Sequence, residues 1–303
     1  MRIRMGAAFA VAFTLALTGC ASTDDDGNKP APAETYSAGG VTLDKRPEKI
    51  VSLSPSGTEM LFAIGAGKQV TAVDDQSTYP PDAPKSNLSG FQPNAEAIAA
   101  KQPDLVVISN DINKIKDQLT ALKIPVYLGT AAVTLDDTYK QIEDLGALTG
   151  HRDEAADLVI RTKNEITKLV ADAPKRADKP TYYYELDPTF YTVTSKTYVG
   201  SLFAMFGLAN VADAADADGS KGGYPQMAAE ALIAANPDFV FLADTKCCQQ
   251  SLETVKGRPG WANISAVTGN RVIPLDDDIA SRWGPRVVDL VRVIAGAVPR
   301  APA

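Results

Sequence analysis

Between Gly150 and Asp172 the apolar positions Ala155, Leu158, Val159, Ile166, Leu169 and Val170 recur at helical spacing, while Arg152, Lys163, Glu165 and Lys168 fall off the stripe. The pattern predicts one long amphipathic helix, with Gly150 ending the helix before it and Pro174 stopping it. At about 1.5 Å per residue it spans roughly 33 Å, the width of a small domain. The chain on either side reads as two copies of one unit. Ala95–Ile108 (AEAIAAKQPDLVVI) aligns without a gap on Ala229–Leu242 (AEALIAANPDFVFL), 134 residues later, with seven of fourteen positions identical. Leu61–Val70 and Leu202–Val211 form a second pair. Each half reads strand (KIVSLSP; TYYYELDPTFYTV), helix with Gly near its end, connection, short helix opening at Ala-Glu, and apolar strand. Pro103 and Pro237 break the short helices. Nearly all-apolar strands alternating with helices predict parallel sheets covered on both faces. The expected class is α/β, with two αβ lobes of mainly parallel sheet joined by one long spine helix.

The first nineteen residues do not fit this pattern. Arg2 and Arg4 precede a short apolar run, Met5–Leu17, and Leu17-Thr18-Gly19-Cys20 closes it. Small residues before a cysteine at the end of such a run resemble the lipobox of bacterial lipoproteins, with Cys20 as the lipidated residue. The run is too short for a spanning helix. Polar, acidic, Pro-containing sequence follows and reads as a tether. The expected organisation is signal peptide 1–19, tether 20–41, N-terminal lobe 42–150, linking helix 151–173 and C-terminal lobe 174–303. The net charge is −7 and no basic cluster is visible, which argues against nucleic acid as a partner.

Catalytic sets are absent from the pattern. The one histidine, His151, opens the long helix in a charged context and reads as a solvated residue near a helix cap. It leaves no partner for a Ser or Cys nucleophile and no multi-His metal site. No Walker loop or GxGxxG is present. Asp276-Asp277-Asp278 reads as a solvated turn rather than a cation site. No enzyme, cofactor or bound metal is expected. Cys247 and Cys248 are adjacent, with Cα atoms about 3.8 Å apart. A strained vicinal disulfide and two free thiols are both open; a metal site from these two alone is not expected. Aromatic residues fall where lobe edges are expected: Tyr79 and Phe91 in the first half, Tyr184, Phe190 and Tyr191 in the second, with Arg282 and Trp283 near the end. Flat faces with a few polar groups, Gln92 among them, suit a large, partly apolar ring system. For Tyr182–Tyr184, which read as strand, core packing is the competing reading.

Arg46-Pro47-Glu48-Lys49-Ile50-Val51-Ser52-Leu53-Ser54-Pro55-Ser56, then Thr58-Glu59, resembles the opening of the substrate-binding proteins of iron-chelate and vitamin B12 ABC importers. So do Ser77-Thr78-Tyr79-Pro80, Glu96…Pro103-Asp104, Leu145-Gly146…Leu148-Thr149-Gly150, and Asp278-Ile279-Ala280-Ser281-Arg282-Trp283-Gly284-Pro285-Arg286. The resemblance covers nearly all of the chain from about Thr42. It implies a lipid-anchored monomer on the outer face of the cell membrane. In its interlobe cleft it would capture a metal chelate for the cognate permease: a corrinoid first, a ferric siderophore close behind, haem third. It also implies that Glu96 and Glu230, the same residue of the internal repeat, dock on basic residues of the permease. An ordinary first-turn glutamate favoured by the helix dipole is the competing reading. A protein-interaction or signalling module on the same scaffold is the alternative function.

Overall fold

A computed structural model describes residues 35–302. The expected signal segment and Cys20 lie outside the described residues. Residues 36–41 of the span expected as tether belong to the fold. Strands β1 (Tyr36–Ala38) and β2 (Val41–Leu43) form an antiparallel hairpin. Its turn is Gly39-Gly40, both at positive φ (57° and 77°), which suits two glycines.

The N-terminal lobe continues with β3 (Ile50–Leu53), α1 (Pro55–Ala63), β4 (Val70–Val73), α2 (Ala95–Ala99), β5 (Leu105–Ile108), α3 (Ile115–Ala121), β6 (Val126–Leu128) and α4 (Leu135–Thr149). Its sheet runs β4-β3-β5-β6, all parallel. Successive residues face opposite sides: Ile50, Leu105 and Val107 pack towards α1 and α4, and Val51, Val106 and Ile108 towards α2 and α3. The spine helix α5 (Arg152–Asp172) follows, after Gly150 ends α4 at φ 75°.

The C-terminal lobe comprises β7 (Thr181–Glu185), α6 (Tyr198–Ala204), β8 (Ala209–Asn210), α7 (Ala229–Ala235), β9 (Phe239–Leu242), α8 (Leu252–Lys256), α9 (Ser265–Thr268), β10 (Val272–Pro274), α10 (Asp277–Ser281) and α11 (Val287–Ala297). Its sheet order, β8-β7-β9-β10, repeats that of the first lobe strand for strand, again all parallel. The internal repeat of the sequence is therefore a repeat of topology. Gln102 and Asn236, at equivalent positions just before Pro103 and Pro237, both take positive φ (52° and 45°).

The apolar stripe of α5 buries Ala155, Val159 and Ile166, with Leu158, Leu169 and Val170 half-buried. Thr162 fills the middle of the stripe, its hydroxyl donating to the Leu158 carbonyl at 2.8 Å. At Gly146 a Cβ would lie 2.4 Å from that of Ala155, so glycine lets α4 and α5 pack closely. The run TYYYELDPTFYTV holds strand only over Thr181–Glu185. The chain then turns back, Leu186 N–H donating to the Tyr191 carbonyl at 2.9 Å, with Phe190 at φ 70°.

Candidate ligand-binding cleft

A cavity of about 420 Å³ opens where the strands of the N-terminal lobe end. Leu53 closes β3, Asp74 follows β4, and Ser109 and Asn110 follow β5; Asp278, Ser281, Arg282 and Trp283 face them from the other lobe. The carboxyl edge of a parallel sheet is where α/β folds place ligands. Gly90 crosses directly above the end of β3: a Cβ there would lie 2.8 Å from both Asp74 Oδ2 and the Leu53 carbonyl oxygen. This close approach carries the next residue, Phe91, to the rim, where it is 68% exposed. Gln92 is exposed beside it, its N–H donating to Ser89 Oγ. Asp74 is buried, and burial raises its pKa against the opposing Ser77 hydroxyl, which donates to Oδ1 at 2.5 Å.

The two walls are held by a polar latch. Glu59 of α1 is 3% exposed. It accepts from Arg282 Nη1 (2.9 Å), Arg286 Nε (2.9 Å) and Arg286 Nη2 (2.5 Å). Arg282 also donates to the Gln76 carbonyl and to Asp278 Oδ1, both at 2.8 Å. Trp283 N–H donates to Ser56 Oγ at 3.2 Å and its indole Nε1 to Gln141 Oε1 at 3.0 Å. Arg282 thus lines the cavity with its charge already spent inside the protein. The role of Glu59 is not visible in the sequence pattern. Its one signal is a carboxylate in the run Thr58–Leu61, where every neighbour is buried.

The other expected contacts are placed elsewhere. Tyr184 is fully buried, its hydroxyl donating to the Ala280 carbonyl at 2.8 Å, so it supports α10 from within the core rather than facing a ligand. Phe190 stacks on Trp261 at 5.7 Å and also belongs to packing. Tyr191 is exposed and pairs by its backbone with Gln226, away from the cavity lining. Tyr79 lies under the Arg286 guanidinium, 4.1 Å from the ring centroid. It lines a separate groove of about 560 Å³ between α1, α5 and α11. That groove is the larger, but it lies away from the strand ends, and its Arg286 and Arg292 are paired with Glu59, Glu165 and Asp289.

His151 is not solvated. It is half-buried, with Nε2 at 2.7 Å from Arg46 Nη2 and 2.9 Å from Gln69 Oε1, and burial, then Arg46, lowers its pKa. The aspartate run is no free turn either. Asp276 caps α10. Asp277 accepts from the N–H groups of Thr245 (2.8 Å), Lys246 (3.0 Å) and Cys247 (2.9 Å). Burial pushes the Asp277 pKa up, but these amides and the Thr245 hydroxyl outweigh it and hold it below the ordinary carboxylate value. Residues 245–250 are thereby pinned against α10 as a lip of the C-terminal lobe. Cys247 and Cys248, on this lip, are free thiols. Among the described residues no group of three or more His, Cys, Asp or Glu is arranged to hold a metal ion. Glu96 and Glu230 are both exposed in the first turns of α2 and α7.

Two parallel-sheet lobes on a helical spine enclose a cleft lined by polar and aromatic groups, the architecture of a ligand-binding protein. The family model described as periplasmic binding protein matches residues 50–279, and the chain belongs to that family. It is 30% identical over 300 residues to YvrC of Bacillus subtilis, an uncharacterized ABC transporter substrate-binding lipoprotein, covering 93% of this chain and 92% of the relative. A cobalamin-binding protein of Halobacterium salinarum is 28% identical over 266 residues, 85% of this chain and 71% of the relative. The crystal structure of the periplasmic vitamin B12 binding protein BtuF of Vibrio cholerae superimposes with a TM-score of 0.69 at 25% identity, covering 84% of this chain and 97% of that one. The protein is thus a non-enzymatic substrate-binding protein of the ABC-importer type, with a small molecule as ligand and a permease as partner.

Proposed function

We propose that this protein captures a corrinoid in the interlobe cleft and delivers it to its permease, held at the membrane by lipid on Cys20. The observation that carries the reading is the charge balance of the cavity. Its aromatic faces are Phe91 and Trp283, and its polar groups are Asp74, Gln76, Ser109, Asn110 and Asp278. Its one cation, Arg282, is engaged by Glu59 and Asp278. Carboxylates and amides of this kind accept from and donate to the carboxamide fringe of a corrin ring, while the aromatic faces cover its apolar body. A polyanionic catecholate chelate would meet Asp74 and Asp278 with no free cation opposite. The cavity lining contains no Tyr, His, Met or Cys to ligate haem iron. An uncharged ferric hydroxamate is the second reading, favoured by the same balance. The cobalamin-binding relatives support the first.

Docking through Glu96 and Glu230 belongs to the same proposal: two exposed carboxylates at equivalent places on two equivalent lobes suit a partner with paired basic patches. The test is calorimetric titration of the purified protein with cyanocobalamin, a ferric hydroxamate, a ferric catecholate and haem. One-to-one binding of cyanocobalamin, or of a hydroxamate as the second choice, is expected. Tight binding of the catecholate or haem alone would overturn the charge argument. Binding of none would overturn both the corrinoid and the hydroxamate readings.

A further inference from the structure

Beneath the lip of the C-terminal lobe lies a cluster that ligand capture does not use. Tyr183 and Glu185 project from the same face of β7, and Asp244 follows β9, the neighbouring strand. All three side chains are fully buried. Arg258 holds Glu185 in a two-pronged pair, Nη1 to Oε2 at 2.6 Å and Nη2 to Oε1 at 2.5 Å, and also donates to Gln250 Oε1 at 2.7 Å. That satisfies Glu185. Both carboxyl oxygens of Asp244 lack a hydrogen-bond partner of good geometry, and so does the Tyr183 hydroxyl. The titratable and charged groups around Asp244 are Glu185 and Tyr183 on the same face of β7, Arg258 after α8 and Cys247 of the lip itself, with Tyr184 on the opposite face of the strand.

Two carboxylates and one guanidinium leave one negative charge without compensation in a dry site, at a cost of several kcal/mol if it stays ionised. We infer that Glu185 and Asp244 form a buried acid pair that retains one proton, and that this proton holds the lip, residues 245–250, in place. A protonated Asp244 donates towards Glu185. The bond to Glu185 gives one orphaned Asp244 oxygen a partner without moving the chain. Burial first, and the adjacent Glu185 second, raise the pKa of Asp244 to about 7. The lip is tied to the backbone at this position, because the Cys248 and Gln250 N–H groups donate to the main-chain carbonyl of Asp244 at 3.2 and 3.3 Å. When the proton leaves, the surplus charge is relieved by a shift of the Asp244 backbone that carries the carboxylate towards water, and both main-chain bonds loosen with that shift. Through Lys246, which pairs with Asp276 at 2.8 Å and Asp278 at 3.2 Å, the lip also touches the residue that holds Arg282 at the cleft. The inference is independent of which chelate is bound.

The direct test is carboxyl infrared or ¹³C NMR spectroscopy of the ligand-free protein between pH 5 and 9. One buried carboxyl titrating in the neutral range is expected, absent from Asp244→Asn. In parallel, hydrogen–deuterium exchange reads protection factors, corrected for intrinsic rates, at the amides of Cys248 and Gln250. These are expected to fall as pH rises through neutrality in the wild type and to stay level in Asp244→Asn. A wild-type spectrum with no protonated carboxyl at pH 6 overturns the inference without recourse to any variant. Protection that is flat in the wild type, or that falls equally in Asp244→Asn, overturns the link to the lip.

Discussion

Replacing Glu59 by Gln tests whether the latch holds the lobes together. The side chain is nearly isosteric, so the perturbation is electrical: three charge-assisted bonds from Arg282 and Arg286 lose their anion. Removing one member of a buried ion pair costs about 3–5 kcal/mol, because the partner's charge is left uncompensated. Here the guanidiniums are not wholly stranded. Arg282 keeps Asp278 and the Gln76 carbonyl, and the Arg286 side chain is 18% exposed and can reach water. The loss should therefore fall lower, at about 2–3 kcal/mol. In a chain of this size that lowers Tm by about 4–12 °C. The assay is urea and thermal unfolding followed by circular dichroism, run as a double-mutant cycle with Arg286→Gln. A coupling of about 1–3 kcal/mol is expected between the two sites. If Glu59→Gln costs under about 0.5 kcal/mol, or the coupling is within about 0.3 kcal/mol of zero, the latch is not a stabilising feature.

Three other outcomes follow from particular residues. The raised pKa of Asp244 means that the folded state binds its proton more tightly than the unfolded one. Its effect is nil below about pH 4, and stability is lost as pH rises from there through about 7. The loss totals on the order of 2–4 kcal/mol, and Asp244→Asn should flatten that part of a denaturation-versus-pH curve. Gly90→Ala forces a methyl group to within 2.8 Å of Asp74 Oδ2 and the Leu53 carbonyl. It should destabilise by about 1–3 kcal/mol and weaken chelate binding measured by calorimetry, because the Phe91 rim is displaced. Charge reversal at both Glu96 and Glu230 should abolish uptake in cells while leaving solution affinity for the chelate unchanged; normal uptake would remove their docking role.

The spine helix was legible because burial there follows a single period, and its one surprise, Thr162, is polar in composition but satisfied by its own helix. The repeat was legible because identical local signals, Ala-Glu at a helix start and Pro-Asp before a strand, recur in order. Much less of the site could be read. Tyr184 and Phe91 are both aromatic residues in plausible places, yet one is strand core and the other a rim held out by a glycine. Composition does not separate them; the face of the strand and the contact beneath Gly90 do. The latch was invisible for a different reason. Glu59 and Arg282 are 223 positions apart, and no local periodicity reports a bond of that span. Gln141, which receives the Trp283 indole, is hidden in the same way among the other polar residues of α4.

That span bears on how the chain is made. Both sheets are complete once β10 has been synthesised, at Pro274, but Arg282 and Arg286 have still to emerge. Until they do, the first lobe carries a carboxylate inside α1 with no cation to meet it, and a helix so burdened packs less firmly. The long-range bond that closes the molecule is therefore among the last to form, behind a large loop-closure entropy. A product cut short just after the last strand would have both sheets and the spine, yet hold Glu59 unpaired. The segment after β10, through Arg282 and Arg286, is thus what sets the firmness of the first lobe.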